Sequence, residues 1–304
     1  MHPKGGYDCD PFCEKQNNDA YEKYCGRGDA CDTDETDEAP QQKKELNTPQ
    51  DGNITVEQLA ERLLHLDNFS IYCFGVRRTG KTFLLNHVLD YIDTHVQYDL
   101  VVLMSETSFK GDQWQQIPPK YKHSGYRPEV IASILKEQHK TMKHNAQTEK
   151  IDQKPMPRVL IVLDDVMGDR RVKWGNDADV LGSLYFQGRH LNIDVISILQ
   201  DPKALPPKVR NNSDIIVAFR SMNMLHRKDL IESYLSCAPG REAYKAGEAY
   251  YEQVFSTKHS ALIIDLAHSA GCKDFHQFAW RCEAPSEPPE RYTMGTPELW
   301  THDE

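Results

Sequence analysis

The feature that most restricts the fold is the octapeptide Gly-Val-Arg-Arg-Thr-Gly-Lys-Thr at 75–82, set between an apolar run and an amphipathic one. Ser70 to Phe74 reads as a strand. From Lys81 the apolar residues Leu84, Leu85, Val88, Leu89 and Ile92 recur at helical spacing. A strand, glycine loop and helix in that order turn backbone N–H groups towards an anion at the helix start. Such a loop needs glycine where the chain turns tightly, lysine to reach the β- and γ-phosphates, and a hydroxyl for Mg²⁺. Gly75, Gly80, Lys81 and Thr82 fill those places, and Val76, Arg77, Arg78 and Thr79 complete the cradle. The expected ligand is ATP with Mg²⁺. Arg77 and Arg78 are bulky for a phosphate cradle; they either touch phosphate or project outward.

The remaining pattern is α/β. Thr55 and Gln58 have capping-box spacing, and Val56, Leu59, Leu63 and Leu66 then lie along one helical face. Leu100 to Met104 reads as a second strand, and 159–163 is apolar at every residue, as expected of a parallel strand covered on both faces. A helix through Val180, Leu181, Leu184 and Tyr185 precedes a strand from Val195 to Leu199. Further strands are expected at Ile215 to Phe219 and Ala261 to Leu266, with helices around 227–235 and 242–255 between them, and a last short strand at Phe275 to Trp280. Tyr244, Tyr250 and Tyr251 have helical spacing and read as core or flank. The polar stretch with Pro118-Pro119, and the basic, His-containing stretch from Lys120 to Lys154, read as solvated surface, although the latter could track DNA phosphates.

Charge is unevenly spread over the 304 residues. The formal total is −10, yet 1–52 carries −7 and 283–304 carries −5, which leaves 53–282 at about +2. A DNA-facing surface on the body is therefore compatible with an acidic chain. The domains expected are an acidic, disordered extension over 1–52, a motor body over 53–282, and a loose, Pro-rich acidic tail over 283–304. No apolar run approaches the roughly 18 residues of a membrane helix, and Met1 to Lys4 does not open a signal peptide. A soluble, intracellular protein with free thiols among its eight Cys is the expectation. Cys9, Cys13, Cys25 and Cys31 lack the paired spacing of zinc knuckles, so free thiols are preferred to a zinc site.

Two more elements carry chemistry. Asp164 and Asp165 follow the apolar strand at 159–163, where ligands bind in open α/β sheets. Asp164 is placed to hold Mg²⁺ through its water shell, and Asp165 to orient or deprotonate the attacking water; the simpler alternative is that they cap a helix. Gln200 closes the strand that begins at Asp194 and is expected beside Asp164, where a neutral amide can bond the γ-phosphate or the lytic water.

The order of 75–82, Leu163-Asp-Asp165, Gly188-Arg-His190, Gln200 and 205–213 before Ile215 resembles the genome-packaging ATPases of large DNA viruses. These belong to the FtsK/HerA superfamily, with the poxvirus packaging ATPase a familiar member. The resemblance covers roughly Ile54 to Cys282. It implies a RecA-like (ASCE) P-loop NTPase fold, with a mainly parallel central sheet flanked by helices. It also implies a ring, expected to be a hexamer, that hydrolyses ATP and drives double-stranded DNA into a capsid, meeting capsid or portal components at host assembly sites and in the virion. Arg189 matches the arginine that reaches a neighbouring subunit's ATP site, with Arg210 in reserve. Many cellular relatives carry Asp-Glu where this chain has Asp164-Asp165, which makes Asp165 the less secure of the two. Other readings stay open here: a cellular or plasmid FtsK/HerA-type transfer motor, a non-hydrolysing ATP-binding switch, and, more weakly, a small-molecule kinase, for which Arg170-Arg171 is the nearest arginine cluster.

Overall fold

The computed structural model describes residues 49–106, 113–166, 179–236, 239–285, 287, 289 and 293–300. The expected acidic extension up to residue 48, Cys9, Cys13, Cys25 and Cys31, Arg170-Arg171 and Cys237 lie outside the described residues.

A helix α1 (Val56–Leu64) opens the body, and its start is set locally. Thr55 Oγ1 accepts from Gln58 N–H at 3.2 Å while Gln58 Oε1 accepts from Thr55 N–H at 2.9 Å. Such a cap contributes about 1 kcal/mol. Then follow β1 (Ser70–Phe74), α2 (Lys81–His95), β2 (Leu100–Ser105), β3 (Lys122–Ser124), α3 (Pro128–Ala146) and β4 (Val159–Asp164). The second half runs through α4 (Val180–Gln187), β5 (Ile193–Leu199), α5 (Pro207–Arg210), β6 (Ile215–Phe219), α6 (Met224–Leu230), α7 (Arg241–Val254), β7 (Ser260–Asp265) and β8 (Ala279–Glu283).

These strands form one eight-stranded sheet in the order β3-β2-β4-β5-β1-β6-β7-β8. The first six are parallel; β7 pairs antiparallel with β6, and β8 antiparallel with β7. The central strands β1, β4, β5 and β6 are buried at every residue, which is why they are mostly apolar, whereas the edge strand β3 is polar and partly exposed. On β1, Tyr72 and Phe74 face one core while Ile71 and Cys73 face the other; on β4, Ile161 and Leu163 oppose Leu160 and Val162 in the same way. Helices α1 and α2 cover the second face through Leu59, Leu63, Leu84 and Val88, whereas α3, α4 and α7 cover the first through Ile131, Leu184 and Tyr250. The mainly parallel α/β sheet expected from the sequence is the one observed. Among the described residues, no helix is long and apolar enough to cross a membrane.

Two local expectations are corrected and one is extended. The polar stretch from Lys120 to Lys154 is mostly exposed or half-buried, as a solvated surface should be, but it also contains β3 and the 19-residue α3, which buries only Ile131, Leu135 and Gln138. With Gln138 at one of the three buried positions and Lys, Glu and His scattered between the apolar residues, the apolar period is weak. The last strand is β8, at Ala279–Glu283; Phe275–Gln277 is a single 3₁₀ turn capped by Asp274. Finally, residues 293–300 pack on the body and are not loose. Met294 is fully buried, Leu299 is buried, and Met294 N–H and Thr296 N–H donate to Gln116 O and Tyr98 O at 2.9 and 3.1 Å. Cys73, Cys272 and Cys282 are free thiols, and Tyr250 and Tyr251 are core residues, as expected.

Candidate nucleotide site

Gly75 leaves β1 with φ 152° and its N–H donates to Leu199 O at 3.2 Å, which ties the start of the loop to β5. A side chain here would meet Phe219 Cβ at 2.6 Å, so only glycine lets the loop pass the end of β6. Gly80 takes φ 102° in the left-handed region and caps α2. The N–H groups of Lys81, Thr82 and Phe83 open the helix with no carbonyl one turn back, and the first bond closes from Leu84 N–H to Gly80 O at 2.9 Å. These free donors, with the positive end of the helix, suit a phosphate chain.

Lys81 Nζ donates to Gly75 O at 2.7 Å and Val76 O at 2.8 Å, so its ammonium is held inside the loop. Burial pushes its pKa down, opposed by Cys73, Asp164 and Asp165. Arg77 and Arg78 are both exposed. Arg78, with φ 62°, lines a cavity of about 800 Å³ together with Thr79, Gly80, Lys81 and Thr82. That volume accommodates a nucleotide-sized ligand.

The carboxylates arrive from β4, two strands away across β5. Asp164 is buried, and its Oδ2 accepts from Trp114 Nε1–H at 3.0 Å. Burial raises its pKa, while the Trp114 bond and the Lys81 charge favour the ionised form. Asp164 feels the Lys81 charge, and Thr82 follows Lys81 in the chain; a carboxylate and a hydroxyl are hard oxygen donors of the kind that fit a divalent cation such as Mg²⁺. Asp165 is exposed and sits at φ 57°, a backbone strain of about 1 kcal/mol for a non-glycine residue. Its N–H bonds Ile198 O at 2.8 Å, and Gln200 Nε2 donates to its Oδ2. Asp165 and Gln200 thus form one polar pair at the carboxyl edge of the sheet.

Trp114 has no signal of its own in the sequence beyond being a lone aromatic among glutamines. A buried indole N–H seeks an acceptor, but only the fold shows that the acceptor is Asp164. Its segment is fastened to α2 and to the C-terminal residues: Asn86 Nδ2 donates to Gln113 O at 2.8 Å, Gln116 Nε2 to Asn86 Oδ1 at 2.7 Å, and Met294 N–H to Gln116 O.

Arg189 lies elsewhere. It is exposed, in a 3₁₀ turn (Gly188–His190) after α4 and before β5, hence at the amino edge of the sheet. Seven residues of β5 separate the two edges, roughly 23 Å at about 3.3 Å per residue. An arginine side chain does not bridge that distance, so Arg189 cannot serve its own chain's phosphates. Arg210 is half-buried, and its Nη1 donates to Pro202 O at 2.9 Å.

Residues 56–266 match the family described as Poxvirus A32 protein. The chain belongs to that family. The matched span runs from the first residue of α1 to just past β7, and so includes the loop, both aspartates, Gln200 and Arg189. The chain is 29% identical over 227 residues to "Uncharacterized protein 075L" of Invertebrate iridescent virus 6, covering 71% of this chain and 80% of that protein. It is 21% identical over 196 residues to "Uncharacterized protein L437" of Acanthamoeba polyphaga mimivirus, covering 64% and 66%. Among solved structures it is similar to the genome packaging NTPase B204 of Sulfolobus turreted icosahedral virus 2 in complex with ATP-gammaS, with a TM-score of 0.46, 15% identity, and coverage of 71% of this chain and 96% of that one. It is also similar to the pCW3 conjugation coupling protein TcpA with ATPgS, at a TM-score of 0.49, 12% identity, and coverage of 72% and 61%.

Proposed function

We propose that this member of the Poxvirus A32 family is an ATP-hydrolysing motor that drives double-stranded DNA into a viral capsid. Family membership supports the packaging role. The observation that carries the hydrolytic reading is the meeting of Lys81, Asp164 and the Asp165–Gln200 pair at one sheet edge.

In this reading the body over 53–282 is the motor, and the acidic 1–52 extension is a separate element. The loop N–H groups and Lys81 bind the phosphates, while Thr82 and Asp164 hold Mg²⁺. A bound Mg²⁺ supplies charge neutralisation on the phosphate oxygens. Gln200, by donating to Asp165, fixes the carboxylate that orients the attacking water and accepts its proton. Arg189, remote from its own site and exposed, acts on the site of the next subunit in a ring, where its guanidinium spreads over transition-state charge. Arg210, bonded inward, is the weaker candidate. Capsid or portal components are the further partners, met at assembly sites in the host cell.

The purified protein should hydrolyse ATP, faster with duplex DNA, and Lys81→Ala should lower turnover by at least about 10³-fold. No hydrolysis in any assembly state with DNA present would sink the proposal. Arg189→Ala and Lys81→Ala chains, each inactive alone, should recover activity when mixed, because some interfaces then pair an intact Lys81 with an intact Arg189.

A further inference from the structure

The cavity beside the phosphate loop has a second wall that the loop motif does not supply. It is built from the turn before β7 and the end of β8, where Lys258, His259 and Glu283 face Thr82 and Phe83. β7 is antiparallel to β6, so its first residues lie at the carboxyl edge, and β8 returns to that edge. This is why His259 and Ala284, about 180 and 200 positions after Gly80, stand next to it.

His259 is held there by an unusual backbone. Its φ is 61°, in the left-handed region that non-glycine residues occupy at a cost of about 1 kcal/mol or more. Ala284 N–H donates to His259 O at 3.2 Å and pins the turn. The imidazole Nδ1 lies 3.7 Å from the point a Gly80 Cβ would occupy, and the ring is exposed to the cavity. Glu283 is tied by Arg281 Nη2 and accepts from Thr257 Oγ1 at 3.2 Å, so its carboxylate is positioned at the same wall. Strain of this kind persists where surrounding contacts impose it, and it clusters at ligand sites.

The direction of a bound nucleotide follows from the sheet order. The loop leaves β1. The groups suited to the terminal phosphate and its cation, Asp164, Asp165 and Gln200, lie on the β5 and β4 side. A chain of phosphates with its terminal end there must send its other end the opposite way, past Thr82 and Phe83 towards β6, β7 and β8. Lys258, His259 and Glu283 wall the cavity on that side, while Gln113, next to Trp114, closes it towards β4.

We infer that His259 and Glu283 form the nucleoside-recognising wall of the site: the imidazole packs on the base or sugar, and the Glu283 carboxylate accepts hydrogen bonds from nucleoside hydroxyl or amino groups. This rests on the loop binding a nucleoside triphosphate, as proposed above. The wall lies wholly outside the loop motif, and for Glu283 also outside the span matched to the family.

Two probes separate the contributions: Mg-ATP, and inorganic tripolyphosphate, which has the phosphates without the nucleoside. His259→Gly removes the ring and relieves the positive φ; Glu283→Ala removes the carboxylate. Each should weaken ATP binding by about tenfold, the loss of one good contact, and leave tripolyphosphate affinity within about twofold of wild type. His259→Gly should melt no lower than wild type, because glycine suits the backbone there. Unchanged ATP affinity in both variants would overturn the inference. An equal loss for ATP and tripolyphosphate would overturn it too, since the wall would then be contacting phosphate. Lys81→Ala, by contrast, should weaken both probes. If wild type binds neither probe, the nucleotide-binding reading itself has failed, and this wall has no ligand to recognise.

Discussion

At the amino edge of the sheet Asp194 accepts from four groups: Asn68 Nδ2, Phe69 N–H, Tyr98 OH and Arg158 Nε, at 3.2, 2.9, 2.9 and 3.0 Å. On the same edge, three strands along, Asp265 takes Arg62 Nη1 at 2.9 Å and His268 N–H at 3.1 Å, and Asp214 takes the N–H and hydroxyl of Ser70 at 2.7 and 2.8 Å. At the carboxyl edge Asp164 has the Trp114 indole, and Asp165 has the Gln200 amide. Aspartates at the ends of neighbouring strands thus do different work. Those at the amino edge are saturated with protein donors and tie strand starts together. Those at the carboxyl edge keep oxygen lone pairs available beside a phosphate loop. A buried carboxylate with few donors is costly, so Asp164 beside a phosphate loop argues for a ligand there.

The sharpest way to break this contrast is to remove one aspartate from each edge. Asp194→Ala should cost about 3–5 kcal/mol in urea unfolding, because it strands Arg158 and the Tyr98 hydroxyl in the interior. Asp164→Ala should change stability by only about 1 kcal/mol while turnover falls by at least about 10²-fold. Similar stability losses at both sites would mean that the carboxyl edge is structural as well.

A smaller effect is expected at Trp114→Phe, which keeps the ring's apolar packing and removes its N–H. Asp164 then loses the hydrogen bond that favours ionisation, so its pKa rises further. Mg-ATP binding near neutral pH should weaken several-fold, with a stability loss of about 1 kcal/mol. An unaltered magnesium dependence would show that Trp114 only fills space.

The smallest expected effect is a pH slope at the amino edge. Burial raises the pKa of Asp214 above its ordinary 3.8, outweighing the two Ser70 bonds and the attraction of Arg189. With the folded pKa above the unfolded one, the folded state holds the proton longer. Stability from this group is therefore full below 3.8 and falls as pH rises through the raised value. Subtracting the pH–stability curve of Asp214→Asn from that of wild type should isolate this decline. A difference that increases with pH would reverse the assignment of burial as the dominant cause.

Much of the fold was legible because its signals are local. β1 and β6 were expected at the residues they occupy, since strands buried on both faces are continuous apolar runs bounded by polar residues. Thr55 and Gln58 carry a cap in their own spacing. Where burial is narrow the signal fades, as in α3, and where a segment is held by distant partners it is absent, as in residues 293–300. The loop, Asp164, Asp165 and Gln200 were readable as candidates because each sits at the end of an apolar run. Trp114 and His259 were not, because their relevance is a matter of neighbours far along the chain.

By itself the sequence determined that residues 75–82 form a glycine loop between a strand and a helix, and that three polar side chains emerge where two other buried strands stop. Those facts depend on steric limits and apolar periodicity within a few residues. Only the tertiary structure decided that β5 lies between β1 and β4, which brings Gln200 to Asp165, and that β7 turns back antiparallel, which brings His259 to Gly80. It also decided that Arg189 stands a strand's length from its own loop. Strand order is set by the packing of both sheet faces at once, and no stretch of chain short enough to be read locally contains that balance.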